Sequence, residues 1–247
     1  GLLARRKDHP LLGYRLAQHE FTWENVLDTR QYPALADHVV GEATVFPGSG
    51  FVELALAAAL KTYGGESASI EDLEIRSPLL LSDEHSKVVR VSIDPADGGF
   101  TVRAREHGND EAWIIHAVGR LLREPSQHVF DENHLSLPDR PPDFDAASHH
   151  ALTLAAGLRY GPAFSAILHG WVNRRTAIAL FKIPLVIDAE IAQTHVHPAL
   201  LDCTFQLIIQ LMREHPATQD AMRSGLTFVP TRMERITFRT GPAGAAS

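Results

Sequence analysis

Two stretches in the first half of the chain have different hydrophobic periods. Over residues 43–62, a short apolar run, a Pro-Gly-Ser-Gly break and then apolar residues at helical spacing predict a strand, a turn and a buried helix. Over residues 87–121, apolar and polar residues alternate in segments separated by Asp-Gly-Gly and Gly-Asn, which is typical of an antiparallel meander. The first half therefore predicts one helix packed with an antiparallel sheet.

A segment without periodicity separates the two halves. Residues 126–150 are rich in Pro, Asp, Ser and His, which favours a linker. This interpretation divides the chain into an N-terminal unit over residues 1–125 and a C-terminal unit over residues 151–247.

The C-terminal unit repeats the same kinds of element. Its pattern predicts strands around residues 166–186, at 194–197 and near 234–239, and a long helix from Pro198 to about Arg213. The apolar stripe of this helix comprises Leu201, Phe205, Ile208, Ile209 and Met212. Two units with one long helix and several antiparallel strands each indicate an α+β fold in which a sheet wraps each helix.

Composition and charge narrow the class of protein. The chain has 247 residues, 45% hydrophobic and 21% charged, and a formal net charge of −7, which argues against binding to nucleic acid. No window reaches the roughly 20 apolar residues of a membrane-spanning helix, so we expect a cytoplasmic protein without membrane contacts. Cys203, the single cysteine, fits a buried core position in a reducing compartment. The Gly-Ala-rich tail suits a segment of a longer polypeptide.

Two separate segments carry residues suited to acid–base chemistry. His38 precedes a predicted strand that leads into the first helix, and an imidazole placed there can act as a general base. Asp202 lies in the first turns of the second helix among apolar residues, where burial would raise the pKa of its carboxyl and keep it protonated. Gln206 follows one turn later, within reach of Asp202. Each residue alone also fits a structural role.

Two further segments are ambiguous when taken alone. Tyr160, Gly161 and Pro162 form a predicted tight turn that places a phenol beside it. His195 and His197 alternate on the predicted strand and could face one side, as metal ligands do. The sequence offers no third ligand, so we expect no metal.

Taken together, these segments resemble the dehydratase domains of polyketide synthases. The first family signature is matched by Asp37, His38, Pro47, Gly48 and Glu53. The second is matched by Tyr160, Gly161, Pro162 and Phe164, and the third by His197, Pro198, Leu201, Asp202 and Gln206. The motifs occur in the family's order and spacing, and weaker similarities extend the match from residue 9 to about 238.

The resemblance implies a double hotdog fold with one active site between the halves. His38 would remove the α-proton of a 3-hydroxyacyl thioester, and Asp202 would protonate the departing hydroxyl. Tyr160 would contact the hydroxyl region, Gln206 would orient Asp202, and backbone N–H groups after Pro47 would stabilise the thioester oxygen. The implied substrate-binding residues are Tyr160, Gln206, Pro47, Gly48, Gly161 and Pro162.

One departure from the family pattern keeps alternatives open. Glu42 stands where the family has Gly, and we expect the neighbouring Gly41 to absorb the change. The alternatives are a dehydratase-like domain that also closes an oxygen heterocycle or shifts a double bond, and an inactive structural module. The presence of Asp202 argues against pure isomerisation. A thioesterase or a product-template cyclase fits the signatures less well.

The resemblance also implies partners. The substrate would arrive on the phosphopantetheine of an acyl carrier protein, the domain would work beside other domains of the synthase, a homodimer is left open, and no further cofactor is needed. An acidic carrier protein requires a basic docking surface. The candidates are Arg174, Arg175, Arg232, Arg235 and Arg239.

Overall fold

The computed structural model describes residues 6–122, 136–213 and 229–240. The helices are α1 (Gly48–Tyr63), α2 (Ala146–Ala155), α3 (Asp188–Ile191) and α4 (Pro198–Met212). The strands of the first half are β1 (Tyr14–Leu16), β2 (His19–Leu27), β3 (His38–Val40), β4 (Ala43–Thr44), β5 (Ser67–Ile75), β6 (Lys87–Ile93), β7 (Gly99–Glu106) and β8 (Ile114–Leu122). Those of the second half are β9 (Phe144–Asp145), β10 (Leu158–Tyr160), β11 (Ile167–Asn173), β12 (Thr176–Phe181) and β13 (Arg232–Arg239).

The larger sheet has seven antiparallel strands in the order β1-β2-β6-β7-β8-β5-β13. The predicted meander forms its centre as β6, β7 and β8. Along β6, Val89, Val91 and Ile93 are buried while the residues between them are partly exposed, as period-two alternation requires. This face packs against α1.

The helix α1 lies in the middle of the core and positions the first half of the site. Every residue from Ser49 to Ala59 is buried, because small alanines let the sheet and neighbouring segments approach from all sides. Gly64 caps the C-terminal end of the helix: its φ of +71° suits glycine, and its N–H donates to the Leu60 carbonyl at 3.0 Å. The predicted buried helix is therefore confirmed.

The second half has its own helix and sheet. β12, β11 and β9 form a three-stranded sheet that packs against α4 and α2. A small sheet, β10-β3-β4, pairs one strand of the second half with two of the first. The helices α1 and α4 contact each other between the seven-stranded sheet and the β12-β11-β9 sheet. This arrangement confirms the expected α+β fold, in which two antiparallel sheets each hold a long central helix.

The predicted linker at 126–150 contains regular structure. β9 and α2 begin inside it, and α2 starts with a capping box in which the Asp145 side chain accepts from the Ser148 backbone and the Ser148 side chain accepts from Asp145. The Asp and Ser residues that suggested a linker are therefore helix-start signals in part. Residues 126–135 of this segment lie outside the described residues.

The last strand belongs to the other sheet. Although β13 lies within the predicted C-terminal unit, residues 151–247, it pairs along its length with β5, from Arg232 opposite Glu74 to Arg239 opposite Ser67. Without β13, the backbone groups of β5 on this side would lack strand partners. The alternation in the sequence predicts such a strand correctly but does not say which edge it joins.

The predicted strand at 194–197 is wrong, because a side chain takes the place of a partner strand. The carboxylate of Glu53, fully buried on α1, accepts from the backbone N–H groups of His195 at 2.7 Å and Val196 at 2.9 Å. It also accepts from Nε2 of the buried His9 at 2.8 Å, because Nδ1 of that ring accepts from Leu11 and Leu12. Glu53 therefore joins the start of the chain, α1 and the segment before α4.

Replacing Glu53 by Leu is expected to lower the free energy of unfolding by about 3–5 kcal/mol, because it leaves buried donors without their charged acceptor. Urea denaturation measures the loss. The exposed control Glu111→Gln should change it by less than about 0.5 kcal/mol. Equal stability of the two variants would show that the Glu53 contacts contribute little.

Candidate active site

One ring nitrogen of His38 is held by a backbone carbonyl. It follows a 3₁₀ turn over Pro33–Asp37 and begins β3. Its Nδ1 lies 2.8 Å from the Val45 carbonyl oxygen, so Nδ1 carries the hydrogen and donates it. The side chain is almost fully buried. This hydrogen bond leaves Nε2 with a free lone pair, as a general base needs.

Asp202 approaches His38 from the other half of the molecule. It lies in the second turn of α4, and its Oδ1 is 3.7 Å from His38 Nε2, somewhat beyond hydrogen-bonding distance. Burial raises the pKa of the Asp202 carboxyl, although His38 and the hydrogen bond from Gln206 act in the opposite direction. The structure thus brings the two predicted catalytic residues together, with the carboxyl biased towards its protonated form.

Gln206 holds Asp202 from behind. Its Nε2 donates to Asp202 Oδ2 at 3.1 Å and to the Phe164 carbonyl at 3.1 Å. The predicted contact between Gln206 and Asp202 is therefore present. Sequence reasoning missed two buried residues that continue this polar line: His149 hydrogen-bonds to Gln206, and Gln210 hydrogen-bonds to His149.

Tyr160 lies directly opposite His38 in the pairing of β10 with β3. The two rings are 5.6 Å apart between centroids, and the Phe164 ring is 5.2 Å from His38. Burial raises the pKa of Tyr160 well above its usual range, with a further contribution from Asp202. Tyr160 therefore keeps its hydroxyl hydrogen, and its phenol adjoins both reactive groups.

The turn after Tyr160 braces the residue that precedes His38. The Gly161 N–H donates to the Asp37 carbonyl at 2.8 Å, and the Ala163 N–H donates to the Asp37 carboxylate at 2.8 Å. A Cβ at Gly161 would overlap the Asp37 side chain, so only glycine allows this approach. Gly161 and Pro162 thus connect the first two sequence signatures through the backbone.

A cavity of about 660 Å³ adjoins these residues. His38, Tyr160, Asp202 and Gln206 line it together with Gly48 at the start of α1. Of the residues predicted to bind substrate, Pro47, Gly161 and Pro162 are not among the described lining residues. Four members of the predicted α4 stripe also face this space: Phe205, Ile208, Ile209 and Met212. The most deeply buried face of α4 carries Asp202, Cys203, Gln206 and Gln210. The apolar stripe lies beside that face, and much of it therefore lines the cavity.

The departure at Glu42 is accommodated in a turn. Gly41 and Glu42 connect the paired residues Val40 and Ala43 of β3 and β4, and Gly41 has a φ of +63°. Glycine suits the first position of a two-residue hairpin turn, because that position requires a positive φ. The Glu42 side chain is exposed. As expected, Gly41 adopts the positive φ of the turn, so Glu42 needs no unusual backbone conformation.

The histidines considered as metal ligands have separate roles. The His195 ring stacks on His9 with centroids 5.6 Å apart, whereas His197 caps α4 by accepting from the Ala199 N–H at 3.2 Å. Within the described ranges, no group of three or more His, Cys, Asp or Glu side chains could hold a metal ion. Cys203 is buried as expected, and burial raises the pKa of its thiol to about 12.

Comparisons with known proteins agree with the fold. A family model described as "Polyketide synthase dehydratase domain" matches residues 9–107, and one described as "Polyketide synthase dehydratase N-terminal domain" matches residues 134–247. The dehydratase domain from the terminal module of the rifamycin polyketide synthase is 28% identical, with a TM-score of 0.76, over 98% of this chain and 85% of that chain. The dehydratase domain from the CurJ module of the curacin polyketide synthase has a TM-score of 0.80 at 24% identity, over 97% of this chain and 82% of that chain.

The curated relatives are much longer proteins. A mycocerosic acid synthase-like polyketide synthase of Mycobacterium tuberculosis (strain ATCC 25618 / H37Rv) is 29% identical over 239 residues, which are 92% of this chain and 11% of that protein. A spectinabilin polyketide synthase system protein of Streptomyces orinoci is 30% identical over 208 residues, which are 80% of this chain and 6% of that protein. The chain thus spans about a tenth or less of the relatives' length.

Fold and site together define a double hotdog protein with a histidine and a carboxyl in one cavity. The chain belongs to the polyketide synthase dehydratase domain family. Domains of this family are hydro-lyases, which remove water from 3-hydroxyacyl intermediates. The resemblance noted in the sequence is therefore confirmed.

The close approach of Gly161 to Asp37 can be tested by adding one methyl group. Gly161→Ala should lower the free energy of unfolding by about 1–3 kcal/mol, because the new Cβ forces Asp37 away. Repeating the substitution in an Asp37→Ala background is the control. In the Asp37→Ala background, Gly161→Ala should lower the free energy of unfolding by less, since the overlapping carboxyl is absent. Equal losses in both backgrounds would contradict the proposed overlap.

The raised pKa of Asp202 predicts how stability depends on pH. Below the unfolded pKa, about 4, both folded and unfolded chains hold this proton. As the pH rises from there towards the higher folded pKa, the unfolded chain releases the proton while the folded chain still holds it, so wild type becomes progressively less stable. The stability gained by Asp202→Asn should therefore grow with pH over this interval. Urea denaturation across the interval measures the gain.

The matched control for this measurement is the exposed Asp83→Asn. Its difference from wild type should stay almost constant over the same pH range. A gain for Asp202→Asn that is flat or shrinks as the pH rises would show that burial does not raise the pKa of this carboxyl.

Proposed function

We propose that this domain removes water from a 3-hydroxyacyl thioester, with His38 as the base and Asp202 as the acid, and yields the 2-enoyl thioester. The observation that carries the proposal is the approach of His38 Nε2 to Asp202 Oδ1, 3.7 Å apart in one largely apolar cavity. The acyl chain would occupy the apolar part of this cavity. Its α- and β-carbons would lie beside the two reactive groups.

His38 begins the reaction from its neutral form. Nδ1 donates to the Val45 carbonyl, so Nε2 can accept the α-proton, which the thioester carbonyl makes acidic. The resulting imidazolium keeps the same hydrogen bond and is attracted to Asp202 once that carboxyl has given up its proton. The electron pair of the broken C–H bond forms the new double bond.

Asp202 completes the elimination. Gln206 donates to Oδ2, so a proton held by this carboxyl lies on Oδ1, the atom that approaches His38. Transfer of this proton to the β-hydroxyl lets the C–O bond break and water leave. The step ends with a protonated His38 and an ionised Asp202. Proton transfer from His38 back to Asp202 restores the starting forms.

Two further groups support the transition state. The N-terminus of α1 reaches the cavity at Gly48, where backbone N–H groups of the first turn and the helix dipole can stabilise charge on the thioester oxygen. Tyr160 keeps its proton and can hydrogen-bond to the β-hydroxyl. Gly161 and Pro162 act through Asp37, because their turn holds the residue next to His38.

The partners are also proposals. We infer that an acyl carrier protein presents the substrate on phosphopantetheine, inside a cytoplasmic synthase whose other domains adjoin this one; a homodimer remains a further proposal. Two of the five arginines considered for docking pair with carboxylates, Arg232 with Asp72 and Arg235 with Glu71. Arg174 and Arg175 form the exposed turn between β11 and β12 and are the better candidates.

No helix among the described residues is long and apolar enough to cross a membrane.

The reaction is tested by incubating the domain with pantetheine thioesters of 3-hydroxy acids in both configurations and following the mass. Wild type should lose the mass of one water, and His38→Ala and Asp202→Asn should each slow this by about 100- to 10,000-fold, because each removes a proton-transfer group. The exposed controls His85→Ala and Asp83→Asn should match wild type. Chromatography against linear and cyclic standards then separates dehydration from ring closure.

Two results would contradict the proposal. No loss of water from any substrate would favour the inactive module. Full activity of either variant would remove that residue from the mechanism.

A further inference from the structure

A line of buried polar side chains extends from Asp202 away from the cavity. Gln206 Nε2 donates to Asp202 Oδ2, Gln206 Oε1 lies 3.1 Å from His149 Nε2, and His149 Nδ1 lies 2.9 Å from Gln210 Nε2. His149, Gln206 and Gln210 are at most 5% exposed. His149 comes from α2 and the two glutamines from α4. Neither His149 nor Gln210 belongs to a sequence signature.

The direction of these hydrogen bonds is fixed at one end by the backbone. Gln206 Nε2 lies 3.1 Å from the Phe164 carbonyl, which can only accept. Reversing the amide would place two acceptor oxygens against each other at that distance. Gln206 Oε1 therefore faces His149, whose Nε2 must carry the hydrogen. His149 Nδ1 is then an acceptor, and Gln210 donates to it.

We propose that His149, held by Gln210, is a positioning residue that keeps the Gln206 amide donating to Oδ2 of the acid Asp202. The inference rests on the proposed function and extends it, because this donation leaves Oδ1 as the atom that carries the transferred proton. His149 does not line the cavity formed by the described residues. It acts only through Gln206.

Burial gives the line of hydrogen bonds its strength. Removing the His149 ring would leave the buried Gln206 Oε1 without its donor, which is unfavourable and promotes other amide orientations. Burial also lowers the pKa of His149, so the ring is neutral at neutral pH and can accept at Nδ1. A charged ring could not accept the hydrogen bond from Gln210.

The kinetic test compares two variants at this position. His149→Met fills similar space but can neither donate nor accept in this line, and kcat should fall about 10- to 100-fold with KM within about twofold, because the acid is misplaced while the cavity is intact. His149→Gln keeps a donor and an acceptor and should recover most of kcat. The neighbouring exposed His150→Met should match wild type.

The pH profile separates positioning from general damage to the fold. Among titratable groups, His38 from β3 lowers the pKa of Asp202, and Asp202 in turn raises the pKa values of Tyr160 from β10 and Cys203 from α4. All three remain in His149→Met. The hydrogen bond from Gln206 lowers the pKa of Asp202, so loosening it should move the alkaline limb of kcat to higher pH. An unmoved limb with an unchanged kcat would overturn the inference.

A second readout needs no turnover and keeps this inference distinct from the proposed function. Nitrogen-15 NMR of the labelled wild-type domain should show a pyridine-type Nδ1 and a pyrrole-type Nε2 for His149 at neutral pH. The opposite tautomer or a charged ring would overturn the inference even if the domain is an active dehydratase. The expected tautomer in a domain that removes no water would sustain the geometry while the proposed function fails.

Discussion

The site depends on the burial of one carboxyl group. Asp202 lies in an apolar cavity where ionisation is costly, and burial raises its pKa despite the nearby His38 and the hydrogen bond from Gln206. An acid that must hold its proton near neutral pH needs a raised pKa, and burial supplies it here. Too little burial would leave a carboxylate that cannot donate, and an unsupported buried carboxyl would not keep one orientation. The α4 sequence supplies both conditions, because it buries Asp202 beside Gln206 and lines the cavity around them with apolar residues.

Each half of the molecule contributes one reactive group, so the contacts between halves set the geometry of the pair. The turn at Gly161 holds Asp37, the residue before His38, through two hydrogen bonds. On the other side, Glu53 of α1 holds the backbone just before α4, the helix that carries Asp202. These contacts lie outside the reacting atoms, yet they decide whether the base and the acid meet. A similar residue pair on two independently moving domains would lack this constraint.

Local patterns predicted much of the structure, and contacts between distant residues account for what they missed. The buried helix α1, the meander and α4 have strong periods that reflect their immediate surroundings, and His38 and Asp202 fall in specific signatures. The pairing of β13 with β5 leaves no local trace, and Asp145 and Ser148 occur in linkers as readily as in helix caps. Nor does a sequence period reveal the contact between His149 and Gln206, 57 residues apart.

The division of labour between His38 and Asp202 is the central claim, and exchange of α-hydrogens tests it most directly. A saturated acyl pantetheine thioester has α-hydrogens but no hydroxyl to lose, so in D₂O only the base is needed for exchange. Mass spectrometry should detect deuterium incorporation with wild type and Asp202→Asn, and none above background with His38→Ala. Exchange that survives in His38→Ala, or that disappears in Asp202→Asn, would contradict the assignment of His38 as the base and Asp202 as the acid.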